Sequence, residues 1–165
     1  MNPQRTELLQ GMPIFGALSE AALEQLLGQA AVRTVPAGQA FFHEGDAADC
    51  MYVLEAGRVA VIKHWGGREW RLGELAAGDC FGEMALMDLV ARSATVRALQ
   101  DCTALVLTPA DLHRLAEHDL EQFALVQMNI GREVCRRLRA TDELLFRLRV
   151  GDGAAADLVP PLQST

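Results

Sequence analysis

Between Arg33 and Leu107 the chain is cut at short intervals by glycine-bearing breaks, and no other feature restricts its fold as strongly. The breaks are Pro36-Ala37-Gly38, Glu44-Gly45-Asp46, Ala56-Gly57, Gly66-Gly67 and Ala77-Gly78-Asp79. Between them lie Gln39–Phe42, Cys50–Leu54, Arg58–His64 and Trp70–Leu75, and beyond them Thr95–Ala98 and Ala104–Leu107. These runs are too short for helices, but strands of this length joined by tight turns build an all-β sandwich or barrel. Gly66-Gly67 predicts a hairpin, because glycine accepts the positive φ that a two-residue turn demands. On the arm before it, Val59, Val61 and the stem of Lys63 share one face, and Ala60, Ile62 and His64 share the other.

Helical patterns flank this region. Ser19 is a suitable N-cap for a helix over Glu20–Gln29 that puts Leu23, Leu26 and Leu27 on one face. Thr108-Pro109-Ala110-Asp111 is a second start signal, with proline where its missing N–H does no harm. A longer helix is expected over Leu120–Arg149. Phe123, Ile130, Val134, Leu138, Leu145 and Leu148 form its apolar stripe, with Arg132, Arg136, Arg137, Arg139, Arg147 and Arg149 on other faces. The expected organisation is one domain over residues 6–149, with helices in 6–32, strands in 33–108 and helices in 109–149. Residues 150–165, rich in Gly, Ala and Pro, read as a flexible tail.

Several function classes fit the chain poorly. A formal net charge of −7 argues against a nucleic-acid interface, which needs a basic footprint. No apolar run is long enough to cross a bilayer, and no apolar segment comes after Met1 as a secretory signal would, so a cytoplasmic location is expected. Cys50, Cys80, Cys102 and Cys135 form no CxxC pair, so buried thiols are expected and no metal site. His43, Glu44 and Asp46 bracket Gly45 and read as a solvated turn. No nucleophile–base pair is visible, so no enzymatic activity is expected.

The informative segment is Phe81-Gly82-Glu83-Met84-Ala85-Leu86-Met87-Asp88-Leu89-Val90-Ala91-Arg92-Ser93-Ala94-Thr95-Val96-Arg97-Ala98. Gly82 lets the backbone come close to whatever lies above it. Glu83 to Met87 can form one helical turn whose leading amides attract an anion. Arg92 is a permanent planar cation suited to two phosphate oxygens, and Ser93 and Thr95 add hydroxyls. Glu83, acceptor-only when ionised, suits a sugar hydroxyl. Together these parts describe a pocket for a sugar phosphate.

The string FGEMAL, then MDLV, then ARSATVRA resembles the phosphate-binding cassette of the cyclic nucleotide-binding domain family. That family includes catabolite-activator-type regulators, kinase regulatory subunits and cyclic nucleotide-gated channels. The turns at Pro36-Ala37-Gly38, Gly45-Asp46, Gly57 and Gly78-Asp79 and the strand Tyr52-Val53-Leu54 also resemble its pattern. The resemblance covers roughly Pro13 to Leu148. It implies an eight-stranded β-roll, jelly-roll-like, with N-terminal helices and a long C-terminal helix. It implies that Glu83 accepts from the ribose 2′-hydroxyl and that Arg92 pairs with the cyclic phosphate. The amides of Gly82, Glu83, Met84 and Ala85 and the hydroxyls of Ser93 and Thr95 complete the cradle. Met128 and Arg132 would cap the base as the long helix closes. The ligand expected is cAMP, with cGMP as the other candidate, and no cofactor. A homodimer through the long helix and an effector protein are the expected partners, with no nucleic acid and no membrane. Ala91 departs from a frequent proline and Leu89 from a frequent glycine. The stretch beyond Arg149 is too short for a winged helix, so a stand-alone sensor or a piece of a transcription regulator is expected. A ligand-free interaction domain is the third reading, and the joint presence of Glu83 and Arg92 argues against it. An iron–sulfur sensor would need a cysteine cluster, normally near the N-terminus, and no cysteine precedes Cys50.

Overall fold

The computed structural model of the chain describes residues 3–87 and 90–151. Two compact units divide it, one ending at Ile130 and the other beginning at Gly131.

The first unit opens with helix α1, Pro3–Gln10, a 3-10 turn at Pro13–Phe15 and helix α2, Glu20–Leu27. Ser19 caps α2, its side chain accepting from the amide of Ala22 at 3.1 Å. Eight strands come next among the described residues: β1 (Val32–Val35), β2 (Ala40–Phe42), β3 (Met51–Ala56), β4 (Arg58–Trp65), β5 (Arg68–Ala76), β6 (Cys80–Phe81), β7 (Thr95–Ala98) and β8 (Cys102–Leu107). They form two four-stranded antiparallel sheets, in the orders β1-β8-β3-β6 and β2-β7-β4-β5. The one-turn helix α3, Met84–Met87, separates β6 from β7. Helix α4, Pro109–His118, and helix α5, Leu120–Gly151, complete the order of elements.

The runs read from the sequence reappear as β2, β3, β4, β5, β7 and β8. Gly66 and Gly67 take φ of 59° and 72° and turn the β4–β5 hairpin. Strands β1 and β6 are additions. β6 is two residues long, below what alternation can reveal, and β1 exposes all but Val35. Along β5 the register slips between Val61 and Ile62, which face Gly73 and Arg71, so Leu72 has no partner on β4.

Strand β3 explains how the layers hold together. Met51 and Val53 point into a cluster with Leu9, Phe15, Leu23, Leu26, Leu27, Leu105, Leu107, Leu115, Val126 and Ile130, which packs helices onto the sheet. The alternate residues Tyr52 and Leu54 point into the roll, among Phe41, Phe42, Val59, Phe81, Val96 and Ala104. A strand covered on both faces carries little polar alternation, and the apolar run of β3 reflects this.

Thr108 caps α4 in a reciprocal box: its amide donates to Asp111 Oδ2 at 2.8 Å, and its hydroxyl oxygen accepts from the Asp111 amide at 3.3 Å. Cys50, Cys80 and Cys102 are buried as expected, whereas Cys135 is exposed beside Arg136 on α5. Helix α5 runs to Gly151, so residues 150 and 151, placed with the tail by the sequence, are helical, and 152–165 lie outside the described residues. No helix among the described residues is long and apolar enough to cross a membrane.

Candidate functional site

The site is built where β6 ends. Phe81 anchors the strand in the roll interior, and Gly82 then takes φ +77° to turn the chain into α3. Only four residues long, α3 leaves its leading amides without acceptors inside the helix. After Val90 the chain returns to β7 through Ala91, Arg92, Ser93 and Ala94. Here the His43–Asp46 turn pins it. The Arg92 amide donates to the Asp46 carbonyl, and the Gly45 amide donates to the Arg92 carbonyl, both at 2.9 Å. Ala91, in the place of a frequent proline, therefore precedes a residue whose main chain is fixed from outside. The turn is itself closed by the His43 amide on Asp46 Oδ2 at 2.8 Å, with Gly45 at φ +88°.

The side chain of Arg92 is only 4% exposed. Its guanidinium carbon lies 4.1 Å from the centre of the Phe42 ring. Nη1 donates to the Gly82 carbonyl at 3.3 Å, and Nη2 reaches the sulfur of Cys50 at 3.5 Å. Asp49 brings one carboxylate oxygen to 4.0 Å of Nη2, but its side chain is 91% exposed, where water screens such a pair heavily. Among the described residues Nε has no hydrogen-bond partner. Among the described residues no carboxylate is within hydrogen-bond distance of this buried permanent cation, and a cation so placed is able to receive an anion.

The other expected residues fall around this group in different ways. Glu83 is buried, at 6% exposure. Ser93 is exposed and its hydroxyl contacts the Met84 sulfur at 3.9 Å, while Met84 itself is half-exposed. Ala85 contributes backbone to α3. Thr95 is wholly buried, and its hydroxyl oxygen accepts from the Glu44 amide at 3.0 Å, so it ties β7 to the turn that holds Arg92. Met128 is exposed on α5 within the first unit, and Arg132 belongs to the second. Leu89 lies outside the described residues.

Further residues at the site lie outside the motif. Phe42 and Cys50 touch Arg92 directly. Tyr52 stacks on Phe81, with ring centres 5.3 Å apart, and accepts from Arg33 Nη1 at 2.7 Å. Burial first, then its contact with Cys50, pushes the Tyr52 phenol up to about 12, so it stays protonated. Only the alternation Cys50-Met51-Tyr52 hinted that the first and third residues look inward together.

The model of the cyclic nucleotide-binding domain matches residues 32–119 of this chain. The Cyclic AMP receptor protein of Thermus thermophilus is 33% identical over 135 residues, 81% of this chain and 61% of that protein. An uncharacterized NTE family protein of Mycobacterium tuberculosis is 31% identical over 165 residues, 95% of this chain and 27% of that protein. Among solved structures, the N-terminal domain of a transcriptional regulator from Streptomyces coelicolor A3(2) superposes with a TM-score of 0.68 at 32% identity. That match covers 83% of this chain and 93% of the domain. The chain therefore spans under two thirds of the full-length relatives it matches.

Proposed function

The chain belongs to the cyclic nucleotide-binding domain family, and from that premise we propose that it binds a cyclic mononucleotide, cAMP before cGMP, and senses it without catalysis. The observation that carries this reading is the Arg92 guanidinium, almost fully buried and with Nε unpaired among the described residues. Burying such a charge costs on the order of several kcal/mol unless an anion meets it. A cyclic phosphate presents two oxygens at the spacing of the guanidinium fork. Glu83 takes the ribose 2′-hydroxyl, and the amides of Gly82 to Ala85 and the Ser93 hydroxyl complete the cradle. Thr95 braces the loop from behind. The name of the Thermus relative supports cAMP. Ser93 adds little preference between bases, because a hydroxyl engaged with the phosphate meets the same group in both nucleotides.

On the family resemblance, α5 closes over the base with Met128 and Arg132, pairs with α5 of a second copy, and passes the signal to an effector protein in the cytoplasm. A second reading, a sensor segment of a longer transcription regulator, is favoured by the match to the Streptomyces domain.

The experiment is calorimetric titration of wild type and Arg92→Ala with cAMP, cGMP and 5′-AMP. Wild type binds the cyclic nucleotides, and Arg92→Ala binds them more than about tenfold more weakly, because losing one partner of a desolvated charged contact costs about 2–5 kcal/mol. Equal curves for the two proteins sink the assignment.

A further inference from the structure

Among the described residues, the groups in hydrogen-bond or ring contact with the Arg92 side chain are neutral. Phe42 offers a ring face 4.1 Å from the guanidinium carbon, Cys50 a thiol sulfur 3.5 Å from Nη2, and Gly82 a carbonyl 3.3 Å from Nη1. The Asp49 carboxylate stands 4.0 Å from Nη2 with its side chain in water. The seat is also stiff. The Phe42 ring lies 6.0 Å from Tyr52 and 6.1 Å from Phe81, and the Tyr52 hydroxyl is fixed by Arg33. Phe42 and Cys50 are themselves buried.

A carboxylate in hydrogen-bond contact would orient the guanidinium equally well, but it would neutralise it, and an incoming phosphate would have to displace it. A ring face and a thiol orient the cation without cancelling its charge. We infer that Phe42 and Cys50 are positioning residues that present Arg92 to an anion with its charge intact, and that affinity at this site depends on the seat carrying no negative charge of its own. The inference rests on reading Arg92 as the phosphate-binding group.

Two comparisons test it, each read by calorimetry with cAMP and by thermal unfolding without nucleotide. Phe42→Leu keeps apolar bulk and loses the π face, and it binds cAMP about tenfold more weakly than wild type, with Phe42→Tyr recovering most of that loss. Cys50→Asp and Cys50→Asn share a shape and differ in charge. Without nucleotide the Asp protein melts at a higher temperature than the Asn protein, because its carboxylate meets the guanidinium. With cAMP the order reverses, the Asp protein binding at least about tenfold more weakly. A merely structural role for position 50 moves stability and affinity in the same direction. Equal affinity of Phe42→Leu and wild type, or of the Asp and Asn proteins, overturns the inference. If folded wild type binds no cyclic nucleotide, the proposed function fails; if it binds and the Asp and Asn proteins bind alike, the inference alone fails.

Discussion

Nη1 of Arg92 rests 3.3 Å from the Gly82 carbonyl, and a Cβ added at Gly82 would stand 2.6 Å from that same nitrogen. The arginine occupies the space that any other residue at position 82 would fill with its side chain. Gly82→Ala therefore meets two penalties: backbone strain at φ +77°, about 1–3 kcal/mol, and displacement of the guanidinium. Gly78 separates the two, since its φ is +99° but an added Cβ there meets nothing within 4 Å. Both alanine variants lower the urea midpoint. Only Gly82→Ala also loses cAMP affinity in calorimetry, and equal affinity of the two would show that the contact is incidental.

The outer face of the β4–β5 hairpin carries a pH dependence of known sign. Arg97 grips Glu69 with two hydrogen bonds, of 2.8 and 2.6 Å, and His64 stands 3.3 Å from the same carboxylate. The Arg97 hydrogen bond is the main cause that holds the Glu69 carboxyl down at about 2, against an ordinary 4.5. A group whose folded value is depressed stabilises the fold above its ordinary value and loses that contribution as pH falls through the folded one. The contact is thus intact above about 4.5 and lost on descent toward 2. Carboxyl carbon NMR of Glu69 should show this low midpoint, and Arg97→Met should return it toward 4.5. A midpoint unmoved by that substitution would exclude Arg97 as the cause.

Helix α4 depends on its cap. Thr108→Ala removes the hydroxyl that accepts from the Asp111 amide and leaves the largely buried Asp111 with one donor fewer. The loss should be about 1 kcal/mol. Urea unfolding would show it as a lower midpoint at unchanged slope, and Thr108→Ser should restore most of it.

The second unit exposes Leu138, Leu144, Leu145, Phe146, Leu148 and Val150, each between 49% and 58%. Leu138, Leu145 and Leu148 keep a heptad-like spacing on one helical face. If α5 pairs with a second copy as proposed, light scattering gives a dimer and Leu145→Glu gives a monomer. A wild-type monomer at high concentration, with and without cAMP, rejects the pairing.

The legible parts of this protein were those with local signals. Turn glycines marked the ends of most strands, Ser19 and Thr108 announced their helices, and the contiguous string from Phe81 to Ala98 marked the candidate site, because one loop and its flanks carry it. Strand β6 escaped notice because two residues have no period, and α1, which begins three residues before the helical region expected from residue 6, carries no clear apolar stripe to mark its start. The seat of Arg92 escaped for another reason. Phe42, Cys50 and Arg92 are far apart in the chain and meet only once the roll closes, and a phenylalanine or a cysteine among apolar neighbours reads as core. That reading is correct for both and incomplete for both.

Leu72 gives the edge of the second sheet a property of its own. β5 is an outer strand with no neighbour on its far side among the described residues, and it carries Trp70 and Leu72 in the open. A straight, unpaired edge would invite strands of other molecules to add on and grow, and the charged Arg68, Glu69, Arg71 and Glu74 already oppose this. The extra residue at Leu72 breaks the even row of donors and acceptors, so an incoming strand that pairs on one side of it falls out of step on the other. A register shift at an edge strand is a feature that disfavours sheet-to-sheet polymerisation.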